Sequence, residues 1–312
     1  MKLREFRRPD APRFFELLKG EFPEEEAMLG MRPEGFEKLL RRLYRADLRI
    51  ILGILRMVHR SPFHVYVAEE NGTLAGLTML AFGPRAGFVS TVVVAPEFRR
   101  RGFARQLIEA ARQETARRRR PYVVLRVLAA NASARALYAS AGYQQLDQQS
   151  FLVHDTPSSF AGGPHGSAIR PFDRKDARPL AEIANRLNPQ AVREVLPARP
   201  RDVAGSNWAD RFFTAETASW VVDRGHGPEA HVAATSTPLT EAAHLSTPII
   251  GESVEPELAT ELVRTAGVWL AERHPVRIVT SIAEDLPRGR RALQEAGFHD
   301  AMAHFTLYRS SQ

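Results

Sequence analysis

No cysteine occurs anywhere in the 312 residues. Disulfides, thiolate catalysis and Cys-ligated zinc are excluded with it. Long apolar runs are missing too: none approaches the roughly 18–20 residues of a membrane-spanning helix. The opening Met1-Lys2-Leu3-Arg4-Glu5-Phe6-Arg7-Arg8 lacks the apolar centre of a signal peptide. Lysine is scarce, with Lys2, Lys19, Lys38 and Lys175 the only four among 43 basic residues. Such a skew reflects coding bias more readily than chemistry, so the net charge of +7 weighs little. What is present, 44% hydrophobic and 25% charged residues, is the balance of an ordinary globular chain. The expectation is a cytoplasmic protein of about two domains with no membrane partner and no metal centre.

The charge is uneven. Residues 1–155 hold 26 basic against 17 acidic side chains, and the remainder is slightly acidic. A basic half suits an anionic partner, whether nucleic acid, a membrane surface or a phosphorylated small molecule. Pro, Gly and Ser crowd the stretch 154–166, which is read as a linker between a domain at 1–153 and another at 167–312. The halves echo each other. Leu3-Arg4-Glu5-Phe6-Arg7-Arg8-Pro9-Asp10-Ala11 aligns with Ile169-Arg170-Pro171-Phe172-Asp173-Arg174-Lys175-Asp176-Ala177, and Ala141-Gly142-Tyr143 with Ala296-Gly297-Phe298. Two short matches in the same order suggest duplication.

Hydrophobic periods give each half a mixed α+β pattern, a mostly antiparallel sheet flanked by helices. In the first half, strands are expected near 3–6, 63–68, 74–81, 87–94 and 122–127, with Asn71-Gly72 as a hairpin turn and two more strands across 143–153. Helices are expected from Asp10 to about Lys19, from Pro33 toward Val58, over 102–118 and over 131–141. Glu21 to Met31 reads as an acidic loop. In the second half, strands are expected at 167–170, 219–223, 230–236, 242–249 and 276–282, with terminal strands to Tyr308. Its helices are expected at 174–187, 256–273 and 288–296.

The chemistry concentrates in Val92-Val93-Val94-Ala95-Pro96-Glu97-Phe98-Arg99-Arg100-Arg101-Gly102-Phe103-Ala104. The three valines predict a strand buried on both faces, ending at Pro96. A helix begins near Gly102, and its first N–H groups have no intrahelical partners. Those donors and the positive end of the helix dipole form an anion site. Gly102 and Ala104 leave the backbone open to close approach, and Arg99, Arg100 and Arg101 add charge. A solvated basic turn opening an amphipathic helix fits the spacing equally well.

Arg99-x-x-Gly102-x-Ala104 resembles the acetyl-CoA pyrophosphate loop of the GNAT N-acetyltransferase superfamily. Asn131-Ala132-Ser133-Ala134-Arg135-Ala136-Leu137-Tyr138-Ala139-Ser140-Ala141-Gly142-Tyr143 resembles a second segment of that family. The resemblance covers most of 1–153 and implies two tandem GNAT-like domains, the first an acetyl-CoA-dependent N-acetyltransferase. It implies direct transfer of an acetyl group to an amine within a ternary complex. It further implies that backbone N–H groups of Arg100, Arg101, Gly102, Phe103 and Ala104 hold the pyrophosphate, that Arg99 adds charge, and that Val92 and Val94 line the slot for the pantetheine arm. By the same resemblance the Val94 N–H would polarise the thioester carbonyl, Asn131 would hydrogen-bond the arm, and Tyr138 would protonate the departing thiolate. The general base is left open among Glu69, Glu97, His59 and His64. The acceptor region of the family falls here on Glu21, Phe22, Glu24, Glu25, Glu26 and Met28, where carboxylates suit a cationic amine but a solvated acidic loop is the commoner arrangement.

In the second half the corresponding loop is Ile250-Gly251-Glu252-Ser253-Val254-Glu255-Pro256-Glu257, whose three glutamates repel a pyrophosphate. Leu293 stands where Tyr138 does, and Leu286 where Asn131 does. The second domain therefore reads as a degenerate GNAT-like domain that buttresses the first, closes over the acceptor site or mediates dimerisation. The alternative to an enzyme is a non-catalytic acyl-CoA-binding sensor or interaction module. A nucleic-acid partner is disfavoured: Arg117-Arg118-Arg119-Arg120 closes a helix, where the dipole favours cations, and no aromatics interleave it. The acceptor, a small molecule or a peptide, is left open, as is a homodimer.

Overall fold

The computed structural model describes residues 2–18, 28, 30, 64–160, 168–204, 215–238 and 240–312. Most of the acidic loop, the helix expected from Pro33, His59 and positions 161–166 lie outside the described residues. Two compact units are formed. The first takes the described residues up to Leu146, apart from Met28 and Gly30, and adds Phe305–Gln312. The second takes Asp147–His304 together with Met28 and Gly30.

In the first unit, strand β1 (Lys2–Glu5) precedes helix α1 (Ala11–Leu18). Strands β2 (His64–Glu70), β3 (Thr73–Phe82) and β4 (Ala86–Val94) follow. The β2–β3 turn is Asn71-Gly72, with φ of 51° and 81°. Positive φ at both central positions is what a type I′ hairpin requires, and it matches the twist of the flanking strands. Helix α2 (Phe103–Arg117) crosses over to β5 (Tyr122–Leu128), and α3 (Ala132–Ser140) leads to β6 (Gln144–His154). Helix α2 buries Phe103, Leu107, Ile108 and Ala111, one helical face, against the sheet. The order β1-β2-β3-β4-β5 is antiparallel except for the β4–β5 pair, which is parallel. The far side of β5 is covered by Phe305–Ser310, at the very end of the chain. Phe305 and Leu307 enter the same apolar cluster as Val123 and Leu125, Arg309 Nη1 donates to the Ala141 carbonyl at 2.6 Å, and Ser311 N–H donates to Pro121 at 2.9 Å.

The second unit repeats the plan. Strand β7 (Ile169–Pro171), helices α4 (Ala177–Leu187), α5 (Gln190–Val195) and α6 (Pro200–Val203), and strands β8 (Glu216–Asp223) and β9 (Pro228–Ser236) come first. Strands β10 (Ala242–Leu245) and β11 (Ile249–Ile250), helix α7 (Pro256–Ala271), strand β12 (Arg277–Ala283), helix α8 (Pro287–Glu295) and strand β13 (His299–Ser310) follow. Here β6 lies antiparallel to β12, pairing Gln149–His154 with Ile278–Ala283. The fold of each unit is a mostly antiparallel sheet flanked by helices, as expected.

Three element boundaries differ from expectation, each for a local reason. β6 is one strand rather than two, because no Gly, Pro or Asn interrupts Gln144–His154. β13 is single for the same reason. The strand expected at 242–249 splits around Ser246-Thr247-Pro248, since Pro248 cannot donate to a ladder.

The repeated Arg-x-Phe…Asp-Ala segment is a structural brace. In the first unit the Arg4 guanidinium forks onto Asp10, Nη1 and Nη2 each at 2.7 Å, and Nε reaches Glu69 at 2.7 Å. In the second, Arg170 forks onto Asp176 at 2.7 and 2.9 Å and reaches Asp223 at 2.6 Å. Each aspartate also accepts a backbone N–H, from Arg7 and from Asp173. The brace ties the end of the first strand to the first helix and to the next strand of the sheet. The guanidinium partners hold the Asp10 and Asp176 carboxyls below the usual carboxylate range.

Two outcomes are expected. Asp176→Ala lowers stability by roughly 3 kcal/mol, because it strands a partly buried arginine and an unpaired amide. Since the folded-state pKa is depressed, the brace contributes above the unfolded value near 3.8 and fades as pH falls below it. Urea titrations of the two proteins should therefore converge in acid; a gap that persisted at low pH would contradict an ionic brace. Deleting Phe305–Gln312 should unfold the first unit at lower temperature although the deletion lies at the opposite end of the sequence, as calorimetry would show.

Candidate active site

Strand β4 runs beside β5 only from Ala86 to Val89, opposite Tyr122 to Leu125. Beyond that point the ladder ends while both strands continue. The cause sits on the other edge of β4: between Met79 and Leu80 the register with β3 shifts, and Ser90 becomes an extra residue between Val89 and Thr91. A bulge of this kind bends its strand and increases local twist, here turning β4 away from β5. After it, alternation resumes. Ala95 N–H donates to the Ala75 carbonyl at 2.9 Å, so Val93 and Ala95 address β3. The N–H groups of Val92 and Val94 consequently point to the edge that β5 has left. Val92 and Val94 are half-buried and Val93 is buried, so the expected burial of both faces holds only for the middle valine.

Past β4 the chain makes one 3-10 turn, Pro96–Phe98, and reaches the arginines. Arg99 folds back, its Nε donating to the Val94 carbonyl at 2.9 Å. That occupies an oxygen lone pair on the free edge and leaves the edge dominated by donors. Arg100 takes φ 62° and Gly102 φ 84°. Gly102 is the N-cap of α2, and a Cβ built there meets no atom within 4 Å. The space in front of Gly102 is open backbone, not a side-chain pocket. Among the described residues no backbone acceptor serves the N–H groups of Arg100, Arg101, Gly102, Phe103 or Ala104. These amides lie at the positive end of a 15-residue helix, a place suited to a phosphate or diphosphate. A diphosphate-bearing donor therefore fits the residues present.

The arginine side chains are less available than their number suggests. Arg101 pairs with Glu70 at 2.6 Å and lies against Phe98 and Phe103. Arg105, on the first turn of α2, donates to the Ser140 hydroxyl at 2.6 Å. Only Arg100 is exposed with no side-chain partner among the described residues. The Phe103 side chain is buried in the core, so only its backbone faces the cradle. In the Arg117–Arg120 run, Arg117 and Arg118 grip the buried Glu114, and Arg120 donates to the Pro84 carbonyl at 2.8 Å. Burial opposes the Glu114 charge, but hydrogen bonds from Arg118, Tyr66 and Arg117 keep its carboxyl below the ordinary range. The run thus closes its own helix.

Tyr138 is 8% exposed and packs edge-on against Tyr143, ring centres 5.9 Å apart. Burial pushes its phenol up to about 12, so the hydroxyl stays protonated. Asn131 caps α3: its Oδ1 accepts the Ala134 N–H at 3.0 Å, and its amide N–H groups are available to a ligand. Of the base candidates, Glu69 is held by Arg4 and Glu97 by Arg13 at 2.7 Å, and His64 lies against Arg118 and Phe82. None of these three is placed on the free edge of β4 by any contact. Sequence reading missed the Ser90 bulge and the Arg99 tie to Val94, since neither follows from residue type alone.

The second unit shows the same scaffold with different chemistry. Phe298 N–H donates to Leu293 at 3.0 Å as Tyr143 N–H donates to Tyr138, and Leu286 occupies the N-cap of α8 as Asn131 does that of α3. At the counterpart of Gly102, Glu255 is extended, φ −66° and ψ 148°, and Pro256 replaces the next N–H with a ring. Arg288 takes the Gly251 and Val254 carbonyls at 3.0 and 2.9 Å.

Comparison with known proteins bears on the family and the fold. Residues 12–143 match the family described as Acetyltransferase (GNAT) family. A search of curated proteins found no significant match. Among solved structures, a tandem GNAT protein from the clavulanic acid biosynthesis pathway is similar over 100% of this chain and 98% of its own, at 16% identity and a TM-score of 0.61. A GCN5-related N-acetyltransferase from Sphaerobacter thermophilus is similar over 100% and 96%, at 14% identity and a TM-score of 0.64. At such identities the likeness is one of fold.

The cradle carries its own test. Gly102→Val imposes about 1–2 kcal/mol of left-handed strain on a branched residue and puts atoms into the open space. Coenzyme A affinity measured by calorimetry should fall about 10-fold or more, with the fold retained by circular dichroism; unchanged affinity would contradict the cradle.

Proposed function

Starting from the match of residues 12–143 to the acetyltransferase (GNAT) family, we propose that the first unit is an acetyl-CoA-dependent N-acetyltransferase acting by direct attack of an amine in a ternary complex. The observation that carries this reading is the adjacency of two donor sets along one segment: the amides of Arg100–Ala104 around open Gly102, and the free edge of β4 that leads into them. Acetyl-CoA supplies an acyl group activated as a thioester.

The chain's own residues do the rest. The amides at the start of α2 hold the diphosphate end. Val92 and Val94 turn their N–H groups to the edge that β5 leaves and can pair there with the amide-bearing arm. The Val94 N–H donates to the acyl oxygen, and its hold strengthens as charge grows there. No reorganisation is needed, because the bulge and the Arg99 tie already fix the strand end. The Asn131 amide N–H groups steady the arm. Tyr138 donates its proton to sulfur as the C–S bond breaks, and the incoming nitrogen loses its proton to water. With its phenol pushed up to about 12, Tyr138 is in the acid form throughout the physiological range. The second unit, with Glu255 and Pro256 where the first has Gly102 and Phe103, does not hold a diphosphate.

The test is a screen of amines that follows CoA release with a thiol reagent, for which a cysteine-free protein gives little background. Turnover with at least one amine is expected. Tyr138→Phe should lower kcat by about 10²-fold or more while the KM for acetyl-CoA changes little. Because the phenol titrates near 12, kcat should show no loss from this group as pH rises to 10. CoA binding without thiol release on any amine would leave a binding module in place of an enzyme.

A further inference from the structure

The second unit contains a cavity of about 400 Å³, a size typical of small-molecule sites. It opens where parallel strands part. β10 pairs with β12 from Ala242 to His244, opposite Arg277 to Val279, and no further. The chain then turns through Ser246-Thr247-Pro248, and Ala283 and Leu286 close the β12 side. Helices α4 and α5 roof the space with Ala184, Leu187 and Val192. The walls are mostly apolar, and the polar atoms among them are largely spoken for. The Ser246 hydroxyl accepts the Ala233 N–H at 2.8 Å, and the Thr247 hydroxyl donates to the Ser281 carbonyl at 2.7 Å.

Two lining residues each keep one buried polar atom without a partner. Asp147 is 8% exposed; its Oδ2 accepts from Gln149 at 3.1 Å, while its Oδ1 is fully buried and has no partner. His231 is 3% exposed, and its Nε2 is likewise buried and unpartnered. Leaving a buried carboxylate oxygen without a donor is costly, so a site that keeps one is expected to have a use for it. The charge points the same way. Among the described residues the lining holds two carboxylates, Asp147 and Asp202, and no lysine or arginine. Asp202 is neutralised by Arg199 at 2.8 Å; Asp147 has no such cation. Burial pushes the His231 imidazole down to about 4, so it adds no positive charge at neutral pH.

We infer that this cavity is a binding site for a small aliphatic amine, its ammonium donating to Asp147 and its body lying on the apolar roof, with His231 meeting a second polar group on the ligand. Asp147 is on β6 and His231 on β9, three places apart in the order β6-β12-β10-β9, roughly 14 Å. A ligand that reaches both therefore has polar groups at its two ends. An anion is excluded by Asp147, and a coenzyme by the absence of a phosphate cradle beside Glu255 and Pro256. The site binds without acetylating, and it does not depend on the activity proposed for the first unit.

The experiment is calorimetry on the full chain with four probes: 6-amino-1-hexanol, hexylamine, 1-hexanol and hexanoate. Binding in the order just given is expected, the two amines measurably and hexanoate not at all. Asp147→Asn should weaken both amines by about 10- to 100-fold and leave 1-hexanol unchanged. Should that variant fold poorly, Ala184→Leu, which fills the roof, should abolish amine binding while coenzyme A affinity is retained. The inference is overturned if neither amine binds up to ~10 mM, if hexanoate or 1-hexanol binds as well as the amines, or if both substitutions are without effect in folded protein.

Discussion

A parallel ladder that stops early is the constraint on which the rest of the first unit depends. β4 and β5 share four pairs and then separate, because Ser90 inserts an extra residue against β3. A fully paired β4 would spend the N–H groups of Val92 and Val94 on its neighbour. Separation instead leaves them as directed donors in a half-buried groove, which solvent alone would otherwise satisfy. The Arg99 tie to Val94 and the left-handed step at Gly102 extend the same logic around the corner into α2. Main-chain donors are a durable means of holding an anion, since no rotamer has to be ordered when the ligand arrives.

The duplication separates what a fold needs from what a reaction needs. The Arg4–Asp10–Glu69 brace recurs as Arg170–Asp176–Asp223, atom for atom in its forked geometry. It joins strand, helix and sheet in both units, and losing it would strand charge in either. The open glycine start of the helix does not recur. A single glycine with φ 84° in one unit is a glutamate with φ −66° in the other, followed by a proline. Scaffold and chemistry have therefore been conserved within one chain to different degrees.

The divergence of parallel strands survives in the second unit without the cradle. β10 leaves β12 after three pairs, and the gap is lined by apolar side chains, an unpartnered carboxylate oxygen and an unpartnered imidazole nitrogen. The same topological opening thus carries main-chain amides in one unit and a buried carboxylate in the other. The opening is set by the strand order, and its chemistry by a few side chains.

Much was legible in the sequence for local reasons. Asn71-Gly72 determines a turn through φ alone, the spacing of Phe103, Leu107 and Ala111 determines a buried helix face, and Arg99-x-x-Gly102-x-Ala104 marks an open helix start. The repeat of Arg, Phe and Asp across the halves was visible, though not that it encodes an ion-pair brace. Tertiary structure alone decided what depends on pairing between distant segments. Residues 305–312 complete the sheet of the first unit, the Ser90 bulge exists only against β3, and Asp147 and His231, 84 positions apart in sequence, face one cavity. The physical reason is that φ preference and hydrophobic period act over a few residues, whereas strand partners and unsatisfied atoms are defined by what the folded chain brings next to them.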